Sequence, residues 1–470
     1  MRKREEKQKN EENRQLELFQ WRSGELQPIP EGRTGTGRVS RADYLSQLEV
    51  QRSSTKHLME RIVDYGNMTK AFKRVAENDG SPGVDGMDID ELQSWLGSNF
   101  FKLQDSLQTE RYKVSPVKKV EIQKPYGGTR LLGVPTVKDR LVQQAIHQEL
   151  NRWYDPLFSA NSYGFRPGKS AHQAILKASE YVGRGQEWVV DIDLEKFFDK
   201  INHDRLMQRL YKGIGDKRLL RLIKSYLQAG LITGGLEEQR TAGAPQGGPL
   251  SPLLSNIVLD ELDKELEERG HNFCRYADDC NIFVGSKKAG ERVMASMIDF
   301  IEKKLKLKVN RKKSGVRHCS EVKFLGYTIL SGGKIRVADA SVSKLKDKVR
   351  KLTRRNRGVS YERVIRELNT SLIGWSNYFR LANSWLETFR DLDGWIRRKL
   401  RCYRLKQCGK YRTIVNLLRN MAVPENKCYN VALYSGGWWN MSKKPAVNHA
   451  MNNSWFVQIG LQSLYTMMKT

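Results

Sequence analysis

The spacing of apolar residues changes several times along the chain and divides it into segments. Residues 1–45 are charged or polar and hold too few apolar side chains to bury a core. Over residues 44–101 the apolar positions follow helical spacing, as in Leu58 and Ile62, with one interruption by the turn-rich stretch NDGSPGVDG at 78–86. We therefore predict a flexible charged leader followed by a helical region that carries one conspicuous loop.

The middle of the chain mixes two periodicities. Runs rich in β-branched residues, VSPVKKVEIQKP at 114–125 and WVVDIDL at 188–194, alternate with helical stretches such as KDRLVQQAIHQEL at 138–150. A hairpin-like segment, FCRYADDCNIFV at 273–284, continues this alternation, and residues 340–420 return to helical spacing. The order predicts an α+β core followed by an α-helical domain.

The distribution of charge along the chain indicates the kind of partner that the protein binds. The chain carries 82 Lys+Arg against 53 Asp+Glu, a formal net charge of +29, which favours a polyanionic partner. Residues 341–420 hold 21 basic and 6 acidic residues, a net charge of +15. Aromatic residues such as Trp375, Phe379 and Trp395 are interleaved with these charges, which indicates a packed helical domain with a basic face.

The cysteines and the apolar runs exclude several classes of protein. The six cysteines are scattered without a CxxC pair, so the sequence indicates neither a zinc knuckle nor a disulfide scaffold and fits a reducing compartment. No stretch approaches ~18 uninterrupted apolar residues, and the N-terminus has no apolar signal segment. We expect neither secretion nor membrane spanning.

Two adjacent aspartates, Asp278 and Asp279, stand inside the hairpin-like segment. If FCRY and NIFV are its strands, ADDC is the turn, and a turn can hold consecutive side chains at one tip. Two carboxylates at 4 Å repel by roughly 4 kcal/mol at an effective dielectric of 20, so the pair needs protons or a cation. A divalent metal ion fits this requirement in so basic a protein.

A second carboxylate cluster, VVDIDLEKFFD, lies at 189–199 and follows a β-like run. Asp191 and Asp193 have the same parity on this strand, and Asp193 at its end is the better candidate for a site at the strand edge. Asp193 with Asp278 could hold two Mg²⁺ ions about 3.5–4 Å apart, the arrangement used in phosphoryl transfer. Each aspartate taken alone is equally compatible with capping a turn or a helix.

Taken together, these segments resemble the reverse transcriptases that bacterial group II introns encode. YADD at 276–279 resembles the palm signature, and DLEKFFDKINH at 193–203 resembles its partner motif. The resemblance extends, in order, over roughly residues 45–465. Its other motifs are KPYGGTRLLGVP (124–135) and SYGFRPGKSAHQAI (162–175) for the fingers, APQGGPLSPLLSNI (244–257) for dNTP and primer contacts, FLGY (324–327) for the primer grip, and LNTSLIGWSNYF (368–379) with LDGWIRRKL (392–400) for the thumb and maturase domain.

The resemblance implies a right-hand polymerase of the α+β class, with antiparallel sheet in fingers and palm, followed by an α-helical thumb and maturase domain. The expected segments are a flexible charged leader (1–45), a helical N-terminal extension with a template-holding loop (46–115), fingers (116–185), palm with the catalytic carboxylates (186–335), a basic helical thumb and maturase domain (336–420), and a C-terminal tail that contacts nucleic acid or packs on the thumb (421–470).

The resemblance also implies which residues form the polymerase site. Asp193, Asp278 and Asp279, with the backbone carbonyl of Leu194, are the expected ligands of two Mg²⁺ ions, or of Mn²⁺. Phe198 is the expected aromatic gate that excludes a ribose 2′-hydroxyl, with an ordinary core phenylalanine as the alternative.

Further residues are expected to contact the dNTP or nucleic acid. Lys124 and Arg130 would bind the β- and γ-phosphates, Gln246 the incoming sugar or the primer, and Lys313 the pyrophosphate leaving group, with Lys312 an equally plausible register. The expected nucleic-acid contacts are Arg166, Lys169, Arg354, Arg355, Arg397, Arg398, Lys399 and Arg401.

The function that follows from the resemblance is RNA-directed DNA polymerisation together with binding of intron RNA during splicing and retrohoming. The implied partners are an RNA template, intron RNA, a DNA primer or target and dNTPs, without a membrane, in the bacterial cytoplasm beside the nucleoid. The C-terminal region offers only His449 and no cysteine pair, so we expect no HNH endonuclease domain. An RNA-binding maturase with an idle polymerase site, and a domesticated enzyme of defence or repair, are the alternatives.

Overall fold

The computed structural model describes residues 41–123, 129–233, 236–238, 240–382 and 385–469. These residues form two compact units. Unit 1 contains the described residues up to Ser170 together with Ile192–Cys280 and Val293–Gly315, and unit 2 contains Ala171–Asp191, Asn281–Arg292 and the described residues from Val316 onward. The predicted leader lies almost entirely outside the described residues, and the predicted segment boundaries stay predictions.

Helices make up most of the described chain. The α-helices are α1 (Arg41–Ser54), α2 (Leu58–Ile62), α3 (Tyr65–Glu77), α4 (Ile89–Gln108), α5 (Val137–Tyr154), α6 (Ala171–Gly183), α7 (Phe197–Lys200), α8 (His203–Gly213), α9 (Lys217–Gln228), α10 (Ser251–Glu268), α11 (Lys287–Asp299), α12 (Asp339–Leu352), α13 (Tyr361–Phe379), α14 (Leu386–Cys408), α15 (Tyr411–Arg419), α16 (Glu425–Ala432), α17 (Gly437–Met441), α18 (Pro445–Ala450), α19 (Asn453–Gln458) and α20 (Leu464–Lys469). Short 3₁₀ helices span Asp155–Leu157, Cys319–Glu321 and Ser331–Gly333, and a π-helical turn spans Phe300–Lys304.

The helical predictions are confirmed in the described parts of the chain. Helices α1–α4 occupy the region of 44–101, α5 contains 138–150, and α12–α15 fill 340–420. Across the described residues, no helix combines the length and the apolar character needed to cross a membrane. All six cysteines are free thiols.

The strands are short. They are β1 (Val117–Gln123), β2 (Thr129–Val134), β3 (Trp188–Asp193), β4 (Leu231–Thr233), β5 (Leu236–Glu238), β6 (Asn272–Tyr276), β7 (Asp279–Val284), β8 (Gly315–His318), β9 (Tyr327–Ile329) and β10 (Ile335–Val337). Strands β9 and β10 form an antiparallel pair within unit 2.

One four-stranded sheet lies within unit 1 and has the order β2-β1-β4-β5. Strands β1 and β2 are antiparallel, with Lys119 opposite Gly133, whereas β4 runs parallel to β1 and antiparallel to β5. The register places Arg130 opposite Ile122, one pair before Gln123 and Thr129, where the chain passes from β1 to β2.

A second four-stranded sheet has the order β6-β7-β3-β8. Its strand β7 is buried from Cys280 onward because the CNIFV run is apolar apart from Asn281, as expected for a strand inside a sheet. Strand β3 ends at Asp193 and its neighbour β7 begins at Asp279. The hairpin predicted from FCRY and NIFV is therefore confirmed, and the mixture of helices and sheets agrees with the predicted α+β class.

Helix α5 is the centre of the unit 1 core. Thr136 caps its N-terminus by accepting the Asp139 backbone N–H at 3.1 Å, and the Thr136 hydroxyl donates to the Asp139 carboxylate at 2.7 Å. Residues Leu141, Val142 and Ala145 are fully buried on several sides of the helix. Farther along the helix, the side chains of His147, Gln148 and Asn151 are only partly buried.

In unit 2 the long helix α14 organises the C-terminal segment. Its Asp393 is buried and accepts the backbone N–H groups of Leu464 and Tyr465 at 2.9 and 3.0 Å, together with the Ser463 hydroxyl at 2.7 Å. This side chain satisfies the free N–H groups at the start of α20 and so fixes that helix against α14.

Candidate polymerase site

The hairpin of β6 and β7 presents the paired aspartates. Ala277 and Asp278 form a two-residue turn, and Asp279 is already the first residue of β7. The prediction that all of ADDC is the turn was wrong, because Ala277 adopts a φ of +58° and reverses the chain within two residues. Both carboxylates are partly exposed, between the buried Ala277 and Cys280.

The positive φ of Ala277 costs on the order of 1 kcal/mol for a residue with a Cβ, so its surroundings must hold it. The Arg275 Nη1 donates to the Ala277 carbonyl at 2.8 Å. A Cβ on Gly164 would collide with the Ala277 backbone nitrogen, and the Asn256 side-chain amide donates to the Gly164 carbonyl at 2.9 Å. The SYGF and PLLSN segments therefore fix the turn that carries the aspartates.

Arg275 is fully buried beneath this turn. Its guanidinium donates to both oxygens of Asp263 at 2.7 and 2.5 Å, and also to Asn256 Oδ1 at 3.0 Å and Ser162 Oγ at 2.7 Å. Burial is the largest single influence on the pKa of Arg275 and lowers it, but the charge and hydrogen bond of Asp263, with smaller contributions from Cys280 and Asp260, together leave the pKa raised, so the group stays charged. Sequence reasoning missed this residue, although a basic side chain in the apolar run before a carboxylate pair was the available signal.

Asp193 stands at the end of β3 and is held by the segment that precedes β8. Its backbone N–H donates to Ser314 Oγ at 2.9 Å, and its carbonyl accepts the Asn310 N–H at 2.8 Å. Lys313 Nζ lies 3.5 Å from Asp193 Oδ2, with side chains 67% and 39% exposed. Of the two registers left open by the sequence, the structure directs Lys313 rather than Lys312 to this carboxylate.

Asp191 shares the strand parity of Asp193 but has different surroundings. Its carboxylate forms an ion pair with Arg317 at 2.9 Å within unit 2. The Arg317 guanidinium lies closer to Asp191 than the Lys313 amine at 3.5 Å lies to Asp193, so Asp193 is the carboxylate more available to a metal ion.

Phe198 lies in the short helix α7 and is partly exposed, whereas the adjacent Phe197 is 2% exposed and belongs to the core. The Phe198 carbonyl accepts the Ala244 N–H at 2.7 Å. Gly243 has a φ of +87°, and a Cβ there would lie 2.8 Å from the Phe198 carbonyl. The gate candidate therefore contacts the start of the APQGG segment, and Phe197 takes the position of a core aromatic.

The Pro-Gln-Gly turn packs against β2. The Gln246 carbonyl accepts the Gly133 N–H at 2.8 Å, and a Cβ on Gly247 would lie 2.5 Å from the Gly133 carbonyl. Ser251 Oγ donates to the Pro245 carbonyl at 2.6 Å and closes the turn onto α10. These glycines permit the close backbone approach that joins the predicted primer-contacting motif to the fingers strand.

The structure places the strands of two predicted metal ligands side by side but does not show a complete metal site among the described residues. The strands that carry Asp193 and Asp279 are neighbours in the second sheet, and Leu194 is buried and forms a bridge with Val309. In the part of the chain that is described, no group of three His, Cys, Asp or Glu residues is arranged to hold a metal ion. The three-carboxylate metal site thus stays a prediction.

Two predicted phosphate-binding residues cannot be placed. Lys124 lies outside the described residues, and so does the side chain of Arg130, whose backbone is part of β2.

The loop at 78–86 is fixed by backbone contacts rather than by its aspartates. Arg140 Nη2 donates to the carbonyls of Gly80 and Ser81 at 3.1 and 2.8 Å. Asp85 accepts the Met87 N–H at 3.3 Å, as expected of a turn-forming residue.

The cations expected at the fingers have structural roles. The Arg166 side chain is 6% exposed and pairs with Asp155 at 2.7 Å, and it donates to the carbonyls of Ser159 and Ser162 at 2.5 and 3.0 Å. Its donors are already used, so we do not retain a nucleic-acid contact for Arg166. Lys169 donates to the Ala160 carbonyl at 3.2 Å, and this bond is exposed. Lys169 can therefore contact nucleic acid more readily than Arg166 can.

The cations expected on α14 pack against the C-terminal helices. The Arg398 guanidinium lies 3.6 Å from the Trp439 ring centroid and donates to the Trp439 carbonyl at 3.1 Å. The Lys399 amine lies 4.7 Å from the same ring, and Arg401 donates to the Met451 carbonyl at 2.9 Å. These contacts favour packing as the role of the Gly-Trp-Trp segment, one of the two roles that the sequence left open.

The remaining residues that were expected to contact nucleic acid are Arg354, Arg355 and Arg397. Arg354 and Arg355 are exposed in the loop that follows α12, where they can reach a phosphate. Arg397 is partly buried, and burial lowers its pKa.

Two family models match this chain. Residues 122–329 match a model described as reverse transcriptase (RNA-dependent DNA polymerase), and residues 342–419 match one described as group II intron, maturase-specific domain. The first match contains the aspartates, Phe198, Gln246 and Lys313.

Several curated proteins are similar to the chain. Protein YkfC of Escherichia coli (strain K12) is 33% identical over 289 residues, which cover 53% of this chain and 76% of that protein. The putative COX1/OXI3 intron 2 protein of Saccharomyces cerevisiae is 30% identical, and the match covers 56% of this chain and 36% of that protein. Group II intron-encoded protein LtrA of Lactococcus lactis subsp. cremoris is 29% identical over 60% of this chain and 57% of that protein.

Proposed function

Because the chain belongs to the family of group II intron-encoded reverse transcriptases and maturases, we propose that it copies RNA into DNA at a site formed by Asp193, Asp278 and Asp279. The predicted family, the polymerase fold and the enzyme class of RNA-directed DNA polymerase are confirmed by these matches. The alternative of an RNA-binding maturase with an idle site is not favoured.

The proposed reaction joins the primer 3′-hydroxyl oxygen to the α-phosphorus of a dNTP and releases pyrophosphate. Membership of the family implies dependence on a divalent metal. We propose that Asp193, Asp278, Asp279 and the Leu194 carbonyl would hold two Mg²⁺ ions, with Mn²⁺ as a substitute, and that these ions would stabilise charge at the attacking and leaving oxygens.

The donor atoms of these residues are of the kind that such an ion binds. All the proposed ligands offer oxygen atoms, which Mg²⁺ prefers, and the three carboxylates are only partly buried. Lys313 Nζ already lies 3.5 Å from Asp193, so this position accepts positive charge.

Side chains around the aspartates supply substrate selection and proton control. Lys313 would give a proton to the pyrophosphate leaving group, since its amine faces Asp193 from the adjacent segment. Phe198 would exclude a ribose 2′-hydroxyl, and Gln246 would contact the sugar or the primer. Lys124 and Arg130 would bind the triphosphate.

The two matched domains imply binding of both RNA and DNA. We assign an RNA template, a DNA primer or target and dNTPs to the polymerase site, and folded intron RNA to the basic region of 341–420. The exposed Arg354 and Arg355 support the second assignment because they are open to phosphates. The region would stabilise the RNA during splicing and retrohoming.

The observation that carries the proposal is the adjacency of β3 and β7, which places the strands that bear Asp193 and Asp279 side by side. The test is extension of a DNA primer on an RNA template with dNTPs and Mg²⁺, followed by addition of EDTA and then of excess Mg²⁺. We expect extension that stops with EDTA and resumes with Mg²⁺. Extension that continues in EDTA, or none even with the protein's own intron RNA present, would contradict the proposal.

The maturase role is tested separately. The Asp278→Asn protein should still stimulate splicing of the intron RNA, because its change lies in the polymerase site. Loss of splicing stimulation in a protein that remains folded would show that the two activities share the site.

A further inference from the structure

A cleft of about 670 Å³ in unit 1 is lined mostly by residues of α3 and α5, together with Asn78 and Pro167, and none of its lining residues belongs to the proposed polymerase site. Ligand-binding clefts typically span about 300–1,000 Å³, so this one has room for a nucleotide-sized molecule. Its lining is rich in charged and amide side chains. An apolar ligand would therefore find few partners in it.

One wall of the cleft is cationic. Lys70, Lys73 and Arg74 follow the spacing that places residues on one face of α3. Among the ion pairs of the described residues none involves these three, and the acidic residue of the lining is Glu77. Three neighbouring cations repel one another, and an anion in the cleft would relieve that repulsion.

The α5 side of the cleft contains two residues with inaccessible polar atoms, which lie behind its surface. His147 Nδ1 and Asn151 Oδ1 are buried without a hydrogen bond, and the two residues are one turn apart on α5. Buried polar atoms nearly always have a partner in folded proteins. Burial, with a smaller contribution from Arg74, lowers the pKa of His147 to about 4, so at neutral pH the imidazole is uncharged.

Arg152 also lines the cleft, but its charge is already paired with a carboxylate and is less available to a ligand. Its guanidinium pairs with the buried Glu149 at 3.0 Å, and Glu149 also pairs with Arg61 at 3.1 Å. The cations open to a ligand are therefore on α3, and the unsatisfied polar atoms are on α5.

We propose that this cleft binds a nucleoside phosphate. The phosphate contacts Lys70, Lys73 and Arg74, and the sugar or base lies against the parts of His147, Gln148 and Asn151 that line the cleft. A double helix cannot enter a cleft of this volume, whereas a single nucleotide can. The nucleotide is either free or the 5′-phosphorylated end of an RNA, and this site is separate from the proposed polymerase site.

The test is lysine footprinting of the full-length protein by amine modification and mass spectrometry in EDTA. The probes are ATP, a short single-stranded RNA with a 5′-phosphate, and the same RNA with a 5′-hydroxyl. Lys70 and Lys73 should be protected, whereas the exposed Lys102 and Lys113 should not. Lys313 reports on the polymerase site in the same sample, so the two sites are distinguished.

Each outcome decides the proposal. Protection by ATP supports it and identifies a free nucleotide, and protection by the 5′-phosphorylated RNA alone supports it and identifies an RNA end. Equal protection by both RNAs would overturn it in favour of contacts along the RNA backbone. Protection by none of the probes, or equal protection of Lys102, would also overturn the proposal. A different anion, such as an acidic peptide, would then be the ligand to test.

A pair of variants with matched loss of charge completes the experiment. Lys73→Ala with Arg74→Ala should weaken binding of the protecting probe by at least about tenfold, measured by fluorescence anisotropy. Lys102→Ala with Lys113→Ala also removes two exposed cations, outside the cleft, and should leave binding within about twofold. Equal losses in the two variants would contradict the site.

Discussion

Arg275 and Asp263 form an ion pair at 2.5 Å in which both side chains are fully buried. Burial costs several kcal/mol for each charge unless the pair is well hydrogen-bonded, and here the guanidinium also binds Asn256 and Ser162. The same guanidinium holds the Ala277 carbonyl. The pair therefore connects the stability of unit 1 to the turn that carries Asp278.

Replacing Arg275 with Met should affect stability and catalysis by separate routes. Asp263 would be left buried and unpaired, so we expect the free energy of unfolding to fall by about 3–5 kcal/mol. Adding Asp263→Leu should restore most of that stability, because no buried charge remains. Primer extension should stay low in the double variant, because nothing holds the Ala277 carbonyl.

Urea unfolding and single-turnover extension measure these two quantities. Arg317→Ala, which breaks the more exposed pair with Asp191, is the control and should cost no more than about 1 kcal/mol. If the double variant regained wild-type extension along with its stability, Arg275 would be a stability residue without influence on the turn.

Gly164→Ala should displace the aspartate turn. The added Cβ would collide with the Ala277 backbone nitrogen, which belongs to the hairpin and cannot move aside as a flexible side chain could. We expect a lower rate of extension with little change in template–primer affinity. Gly97→Ala is the control, because a Cβ at this helical position meets no atom within 4 Å and should add about 0.5–1 kcal/mol of stability.

Phe198→Ala should relax the choice between deoxyribonucleotides and ribonucleotides. The partly exposed ring is the proposed gate, so its removal should raise the relative incorporation of rNTPs in a primer-extension assay. Phe197→Ala should instead lower the unfolding free energy by about 3–5 kcal/mol and leave selectivity unchanged, because this ring is buried. Unchanged rNTP incorporation by Phe198→Ala would remove the gate assignment.

His147 should make unit 1 sensitive to acid. Burial and, to a smaller extent, Arg74 lower its pKa from 6.5 to about 4, so the unfolded chain takes up a proton at higher pH than the folded chain. The stability contributed by the neutral ring is complete above pH 6.5 and is lost as the pH falls to about 4, by about 3 kcal/mol in total. Urea unfolding of His147→Gln across this range should show a correspondingly shallower loss, and identical pH profiles would contradict the assignment.

The sequence predicted the elements of the site better than the contacts between them. A run rich in β-branched residues predicted β3, the hairpin-like segment predicted β6 and β7, and the position of Asp193 followed from the end of the first run. The division between Phe197 and Phe198 could not be predicted, because both are aromatic neighbours in the same short helix. Only the packing of α7 shows which ring is buried.

Residues whose partners are distant in sequence were the hardest to interpret. Arg398 was expected to contact nucleic acid, but it packs on Trp439, 41 positions later in the chain. Arg166 was also expected to contact nucleic acid, and although its partners Asp155 and Ser159 lie within 11 positions of it, the sequence does not show that they surround its guanidinium. Charge and composition reveal such cations but not whether other parts of the chain already satisfy them.

The most direct test of the polymerase site compares two aspartates of strand β3. Asp193→Asn removes a proposed metal ligand, whereas Asp191→Asn removes a carboxylate of the same strand that pairs with Arg317 of β8. The measurement is the rate of RNA-templated primer extension, with template–primer binding as the check on folding. We expect Asp193→Asn to lose a factor on the order of 10³ or more in rate, corresponding to several kcal/mol of charge stabilisation, and Asp191→Asn to remain near wild type. Equal rates for the two variants would contradict the assignment of Asp193 to the catalytic site.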